Sequence, residues 1–150
     1  MTALTIPSAI LGDARSFFEE CGSSGCEGTA LIAAVGESAC RLVIPDQRAT
    51  PAPYCSVEVT RTGKLALAAA LGPGERYAAR IHSHPLLAFH SPTDDANPAL
   101  TQEGALSIVA PYFGLGLRGG LDNCAVYVRI DNTWTELPVD GDRHLYVTTS

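Results

Sequence analysis

The sequence predicts a single domain of mixed α/β class, and three observations carry that expectation. At 150 residues the chain is close to the commonest domain size and long enough to bury a core. Its 46% hydrophobic and 17% charged residues give the balance of a globular protein. Short apolar runs bounded by glycine interleave with segments of helical spacing, with no internal repeat and no linker across residues 1–150.

Leu4 and Ile6 suggest a short opening strand. Pro7 and Ser8 introduce a helix to about Glu20, with Ile10, Leu11, Ala14, Phe17 and Phe18 on one face. Cys21-Gly22-Ser23-Ser24-Gly25 ends it. Thr29 to Val35 is a continuous apolar run closed by Gly28 and Gly36, the signature of a strand buried on both faces. Ala39 to Ile44 reads as a second strand and Asp46 to Tyr54, with its prolines, as a loop. Val57-Glu58-Val59 alternates as a short strand would.

Leu65 to Leu71 favours a helix ending at Gly72-Pro73-Gly74. Arg76 to His84 reads as a strand stopped by Pro85. Leu106 to Val109 is another strand, and Tyr112 to Gly120 is glycine-rich and irregular. Cys124 to Ile130 and Trp134 to Leu137 form a hairpin around Asp131-Asn132. A polar tail follows.

Charge and composition narrow the function classes. A net charge of −6 with ten Lys and Arg argues against nucleic-acid binding, which needs a basic face to displace phosphate counterions. No apolar run approaches the roughly 20 residues that span a bilayer, and the first residues lack a signal peptide's basic head and apolar stretch. Five cysteines without a CxxC pair (Cys21, Cys26, Cys40, Cys55, Cys124) read most simply as reduced thiols in a cytoplasmic protein, with Cys21 and Cys26 pairing or binding a metal as the alternative.

The chemistry concentrates in Ile81-His82-Ser83-His84-Pro85, continuing through His90-Ser91-Pro92-Thr93-Asp94-Asp95. Residues two apart on a strand share a face, so His82 and His84 point together while Ser83 points away. Two imidazoles at a rigid strand end can supply two zinc ligands, with a carboxylate about ten residues on folding back as a third. HxH alone is common, and Ser91-Pro92-x-Asp94 also fits a helix start with Ser91 as N-cap. The two readings are compatible.

His-x-His-Pro, a short apolar loop and then Ser-x-x-Asp together resemble the JAMM motif of the MPN+ (MPN/JAB domain) zinc metalloproteases. Glu27-Gly28 ahead of the strand Thr29–Val35 matches the family's upstream glutamate in placement. The resemblance runs over roughly residues 5 to 138. The loop from His84 to Ser91 is one residue shorter than the common family spacing, Ala30 stands where the family often has glycine, and Asp95 beside Asp94 leaves two registers for the carboxylate.

What this resemblance implies is a central mixed sheet flanked by helices, with His82, His84 and Asp94 holding Zn2+ and water in the fourth position. Glu27 would be the general base and Ser91 the oxyanion donor. Glu19, Glu20 and Glu37 are the rival carboxylates for the base. His90 reads as a rim histidine and His144 as solvated.

The implied activity is a zinc-dependent isopeptidase or peptidase that cuts after the C-terminal tail of a ubiquitin-like protein, by deconjugation or precursor processing. The implied partners are that protein and its activating or conjugating enzymes, with no nucleic acid and no membrane. Segments 46–56 and 112–123 are candidates for shaping the substrate groove. The alternative is a non-catalytic or partner-activated MPN scaffold module in a bacterial conjugation or repair complex. A zinc deaminase is disfavoured because its His-x-Glu and Pro-Cys-x-x-Cys are absent. Leu117-Arg118-Gly119-Gly120 looks like a ubiquitin tail but reads more simply as a glycine turn.

Overall fold

Residues 2–50, 57–88 and 100–150 are described in a computed structural model. The chain order is β1 (Leu4–Ile6), α1 (Ser8–Gly22), β2 (Thr29–Val35), β3 (Ser38–Val43), β4 (Gln47–Ala49), β5 (Val57–Val59) and α2 (Arg61–Ala70). Next come β6 (Glu75–Ser83), β7 (Leu106–Ala110), a 3-10 segment (Tyr112–Gly119), β8 (Ala125–Ile130), β9 (Thr133–Glu136), a 3-10 turn (Asp142–Leu145) and β10 (Val147–Thr149).

Eight strands form one mixed sheet in the order β10-β1-β3-β2-β6-β7-β8-β9, while β4 and β5 pair separately. The apolar run of β2 earns a central place between β3 and β6, with five consecutive residues buried. Antiparallel pairing sets Thr29 opposite His82. On its other side β6 runs parallel to β7, with His82 opposite Val109 and Ser83 opposite Ala110. The hairpin of β8 and β9 turns through Asp131 and Asn132 at φ 50° and 63°, the two left-handed residues of a tight hairpin turn.

The two faces of the sheet are unequal. Ile10, Leu11, Ala14 and Phe18 of α1 pack onto Ala30, Ile32 and Ala34 of β2 and Ile81 of β6 to make the main core. The opposite face holds a small cluster of Leu31, Leu100 and Ala105, with Leu67 of α2, Tyr77 and Trp134 against it. Alternation along β6 puts Arg80 and His82 on this second face.

Several expectations need correction. Residues 46–54 are not all loop: Gln47–Ala49 is a strand pairing with β5. Helix α2 starts four residues earlier than Leu65, because the Thr60 hydroxyl accepts the Gly63 N–H at 3.0 Å and caps it. The tail is structured, with Val147 buried in a strand parallel to β1 and Arg143 buried as well. Helix α1 runs two residues past Glu20, to Gly22. Cys26 is disulfide-bonded, whereas Cys21, Cys40 and Cys124 are free thiols. Neither five reduced thiols nor a Cys21–Cys26 pair describes the molecule, and cysteine usage no longer argues for a reducing compartment.

Candidate metal centre

Where β6 ends, His82 and His84 bring their Nε2 atoms to 3.3 Å of each other. The rings lie 5.0 Å apart between centroids, tilted by 58°, and are 9% and 6% exposed as residues. Adjacent ligands about 2.0–2.1 Å from a tetrahedral ion are separated by about 3.3–3.4 Å, so the pair is spaced as two ligands of one zinc. His84 Nδ1 lies 3.3 Å from the Leu87 carbonyl, which can only accept. A proton on Nδ1 makes Nε2 the ring nitrogen that carries the lone pair a metal can take, and the carbonyl orients the ring. The donor set fits the metal that the sequence implies.

Ser83, between the histidines, faces the α1 side and is fully buried. Its hydroxyl accepts the Gly28 N–H at 2.9 Å, and its own N–H donates to the Gly28 carbonyl at 3.0 Å. This two-bond clamp continues the β2–β6 ladder past Thr29. Glu27 immediately precedes this clamped glycine, outside the strand. Glu27 is half-buried. Glycine is required at position 28, since a Cβ there would stand 2.9 Å from the Phe17 ring and 3.0 Å from Phe18.

A second support lies on the other edge of β2. Strand β3 leaves the ladder after Val43, and the Gln47 amide takes over. Its oxygen accepts the Thr29 N–H, and its nitrogen donates to the Thr29 carbonyl, both at 2.9 Å. Thr29 is thereby fixed from both sides, two residues from Glu27.

Two residues before His82 on the same face, Arg80 is a buried cation. Its Nε donates to Ser107 Oγ at 2.9 Å and its guanidinium lies 4.6 Å from the Trp134 ring centroid. Sequence reasoning missed Arg80, Gln47 and the role of Ser83. Only the alternation of β6 hinted at Arg80 and Ser83, and Gln47 carried no signal.

Among the described residues no third His, Cys, Asp or Glu joins the histidines in a metal-sized cluster. Ser91, Asp94, its alternative Asp95, and His90 lie outside the described residues. The rivals Glu19 and Glu20 sit on α1, the helix that covers the sheet face opposite the histidines, Glu37 lies in the β2–β3 turn at the start of β6, and His144 is exposed. Leu117 is buried and Gly120 has φ 76°, so Leu117-Arg118-Gly119-Gly120 closes the 3-10 segment as a glycine turn. No helix among the described residues is long and apolar enough to cross a membrane.

The mixed sheet is thus buried by α1 on one side and carries the His82–His84 pair on the other. Over 92% of this chain and 98% of its own length, a JAB1/MPN domain protein from Archaeoglobus fulgidus superposes with a TM-score of 0.52 at 17% identity. A protein of known solution structure from Desulfitobacterium hafniense superposes with a TM-score of 0.61 at 12% identity, over 97% of this chain and 92% of that one. In sequence, 64 residues are 45% identical to a protein of Sinorhizobium fredii described as a probable metalloprotease. That match spans 40% of this chain and 37% of the relative's length. No family model matches the sequence. The chain has the JAB1/MPN fold.

Proposed function

We propose that the protein is a zinc-dependent isopeptidase or peptidase that cleaves after the C-terminal tail of a ubiquitin-like protein. The observation that carries the reading is the 3.3 Å convergence of the His82 and His84 Nε2 atoms at a buried strand end. His82, His84 and Asp94 hold the metal in this reading. When bound, zinc supplies Lewis acidity and a water acidic enough to act as a nucleophile near neutral pH.

The chain's own groups do the rest. Glu27, next to the Gly28 that Ser83 clamps, takes a proton from the attacking water and passes it to the departing amine in this reading. Ser91 donates a hydrogen bond to the oxygen that gains charge as the carbonyl is attacked. No covalent enzyme intermediate is required, which agrees with the Cys124 thiol being pushed up to about 12 by burial, far from a nucleophile's range.

The test uses zinc-loaded protein and a ubiquitin-like protein fused through its tail to a reporter, read by intact mass. Cleavage at the junction that disappears with a chelator and in Glu27→Gln supports the proposal. One zinc per chain without cleavage of any fusion would favour the scaffold alternative. Absence of zinc binding would leave the histidine pair as a hydrogen-bonded pair and remove the basis of the reading.

A further inference from the structure

Just before Glu27 the chain carries a free thiol and a disulfide at the two ends of one turn, and the function above uses neither. Helix α1 closes in a glycine turn. Gly25 stands at φ 73°, its N–H donates to the Gly22 carbonyl at 2.8 Å, and the Cys26 N–H reaches back to the Cys21 carbonyl at 3.1 Å. In a helix end closed by these two bonds, the side chains at the positions of Cys21 and Cys26 are the pair that commonly packs together across the turn. A disulfide bridges Cα atoms about 4.4–6.8 Å apart, and one main-chain hydrogen bond between two residues holds them near that separation.

Cys26 is nevertheless bonded elsewhere: it is in a disulfide, while Cys21 is a free, half-buried thiol. No cysteine lies between them, so the present bond ties Cys26 to a part of the chain outside the turn. Cys21 also meets both neighbours of Glu27. Its carbonyl holds the Cys26 N–H, and its Sγ stands 3.2 Å from where a Cβ on Gly28 would lie. Burial first, and the charge of Glu20 second, push the Cys21 thiol up. It rests protonated, whereas only a thiolate attacks a disulfide, so thiol and disulfide stand together unreacted.

We infer that Cys21 and the Cys26 disulfide are an internal thiol–disulfide exchange pair, a switch that re-tethers the residue before Glu27 to the end of α1. Cys21, as thiolate, attacks Cys26 Sγ. A Cys21–Cys26 bond forms as the present bond of Cys26 breaks, and the departing sulfur takes up the proton that Cys21 gave up. Nothing is oxidised or reduced overall, so no further reactant is needed. In the exchanged form Cys26 loses its tie outside the turn, and the Cys21 sulfur turns from Gly28 toward Cys26. Both residues that flank Glu27 are thereby changed. The action on catalysis rests on the reading of Glu27 as the base; the exchange itself rests on the turn and its sulfurs.

The experiment reads the pairing by mass on the full chain. Cleavage after glutamate releases residues 21–27 as one peptide, whose only cysteines are Cys21 and Cys26. Protein is kept for a day without added thiol at about pH 8.5, where the thiolate fraction rises, then acidified, unfolded and alkylated. In the present pairing the peptide carries one alkyl group, on Cys21, and is joined through Cys26 to another peptide. After exchange it leaves as an unalkylated ring, lighter by a pair of hydrogens than its reduced form. The ring is expected in at least about a tenth of the chains, at a rate independent of protein concentration, and never in Cys21→Ser. Its absence, or a rate that rises with concentration, overturns the internal exchange. Exchanged protein, trapped by alkylating the thiol that leaves, is expected to turn over a tail fusion about tenfold more slowly in kcat than Cys21→Ser, at equal zinc content. Equal kcat keeps the exchange and overturns its action on Glu27. Cleavage by neither form removes the peptidase reading and with it that action, while the ring still decides the exchange.

Discussion

Replacing Ser83 with alanine separates the two halves of the proposed centre without touching a ligand. The substitution removes the oxygen that accepts the Gly28 N–H at 2.9 Å, at a residue with no solvent exposure. The orphaned N–H is buried under Phe17 and Phe18, where water cannot easily replace the lost partner. An unsatisfied buried donor costs about 1–3 kcal/mol. For a chain of this size that lowers Tm by about 4–8 °C when the loss is about 2 kcal/mol.

The catalytic consequence follows from where that N–H sits. It belongs to the peptide unit joining Glu27 to Gly28, so losing its anchor frees the base to swing while His82 and His84 keep their strand. Turnover of a tail fusion is expected to fall about tenfold to a hundredfold in kcat, since misplacement of about 1 Å has that effect. KM and zinc content should remain near wild type. Ser83→Thr, which restores a hydroxyl, should recover most of kcat. A lowered Tm with unchanged kcat would falsify the coupling and leave the clamp purely structural.

Three further outcomes are expected. His82→Ala should reduce bound zinc from about one per chain to below about a tenth, measured by metal analysis after dialysis, because the site loses one of the three protein ligands proposed for it; full retention would place the metal elsewhere. Gly28→Ala should destabilise the fold by about 1–3 kcal/mol in urea unfolding through overpacking against Phe17 and Phe18; a neutral effect would mean that α1 yields more than its packing suggests. Glu75 is held at about 2, below its ordinary 4.5, first by the Arg41 hydrogen bond and then by the Gly72 N–H and Cys40. Its folded value being the lower one, its contribution is complete above about pH 4.5, shrinks as pH falls and is gone below about pH 2. Glu75→Gln should lower the urea midpoint at pH 7, and the two curves should converge toward pH 2; parallel curves would refute the linkage.

How far the sequence could be read depended on how many residues each feature used. The runs Thr29–Val35 and Leu106–Ala110 were legible because they are long enough to look buried on both faces. The hairpin at Asp131-Asn132 was legible because only residues tolerant of left-handed backbone turn so tightly. Gln47–Ala49 and Val147–Thr149 span three residues each, too few for alternation to stand out, and their partners are distant in sequence. Arg143 fell within what read only as a polar tail, and nothing local shows that three carbonyls await it. In the candidate centre, the shared face of His82 and His84 followed from a period of two. The Gln47 amide beneath Thr29 depends on where β3 stops, which only the folded sheet determines.

The β2–β6 ladder carries a bulge between Ile32 and Ala33, and that irregularity divides the pair into two phases. On the far side, Ala33 to Val35 pair with Glu75 to Tyr77; on the near side, Thr29 to Ile32 pair with Ala79 to His82. A residue gained or lost beyond the bulge can be absorbed there as a larger or smaller kink. The same change on the near side inverts the strand, exchanging Glu27 with Gly28 and driving a carboxylate into space where even a methyl group collides with Phe17. The centre is therefore digital in its tolerance of insertions.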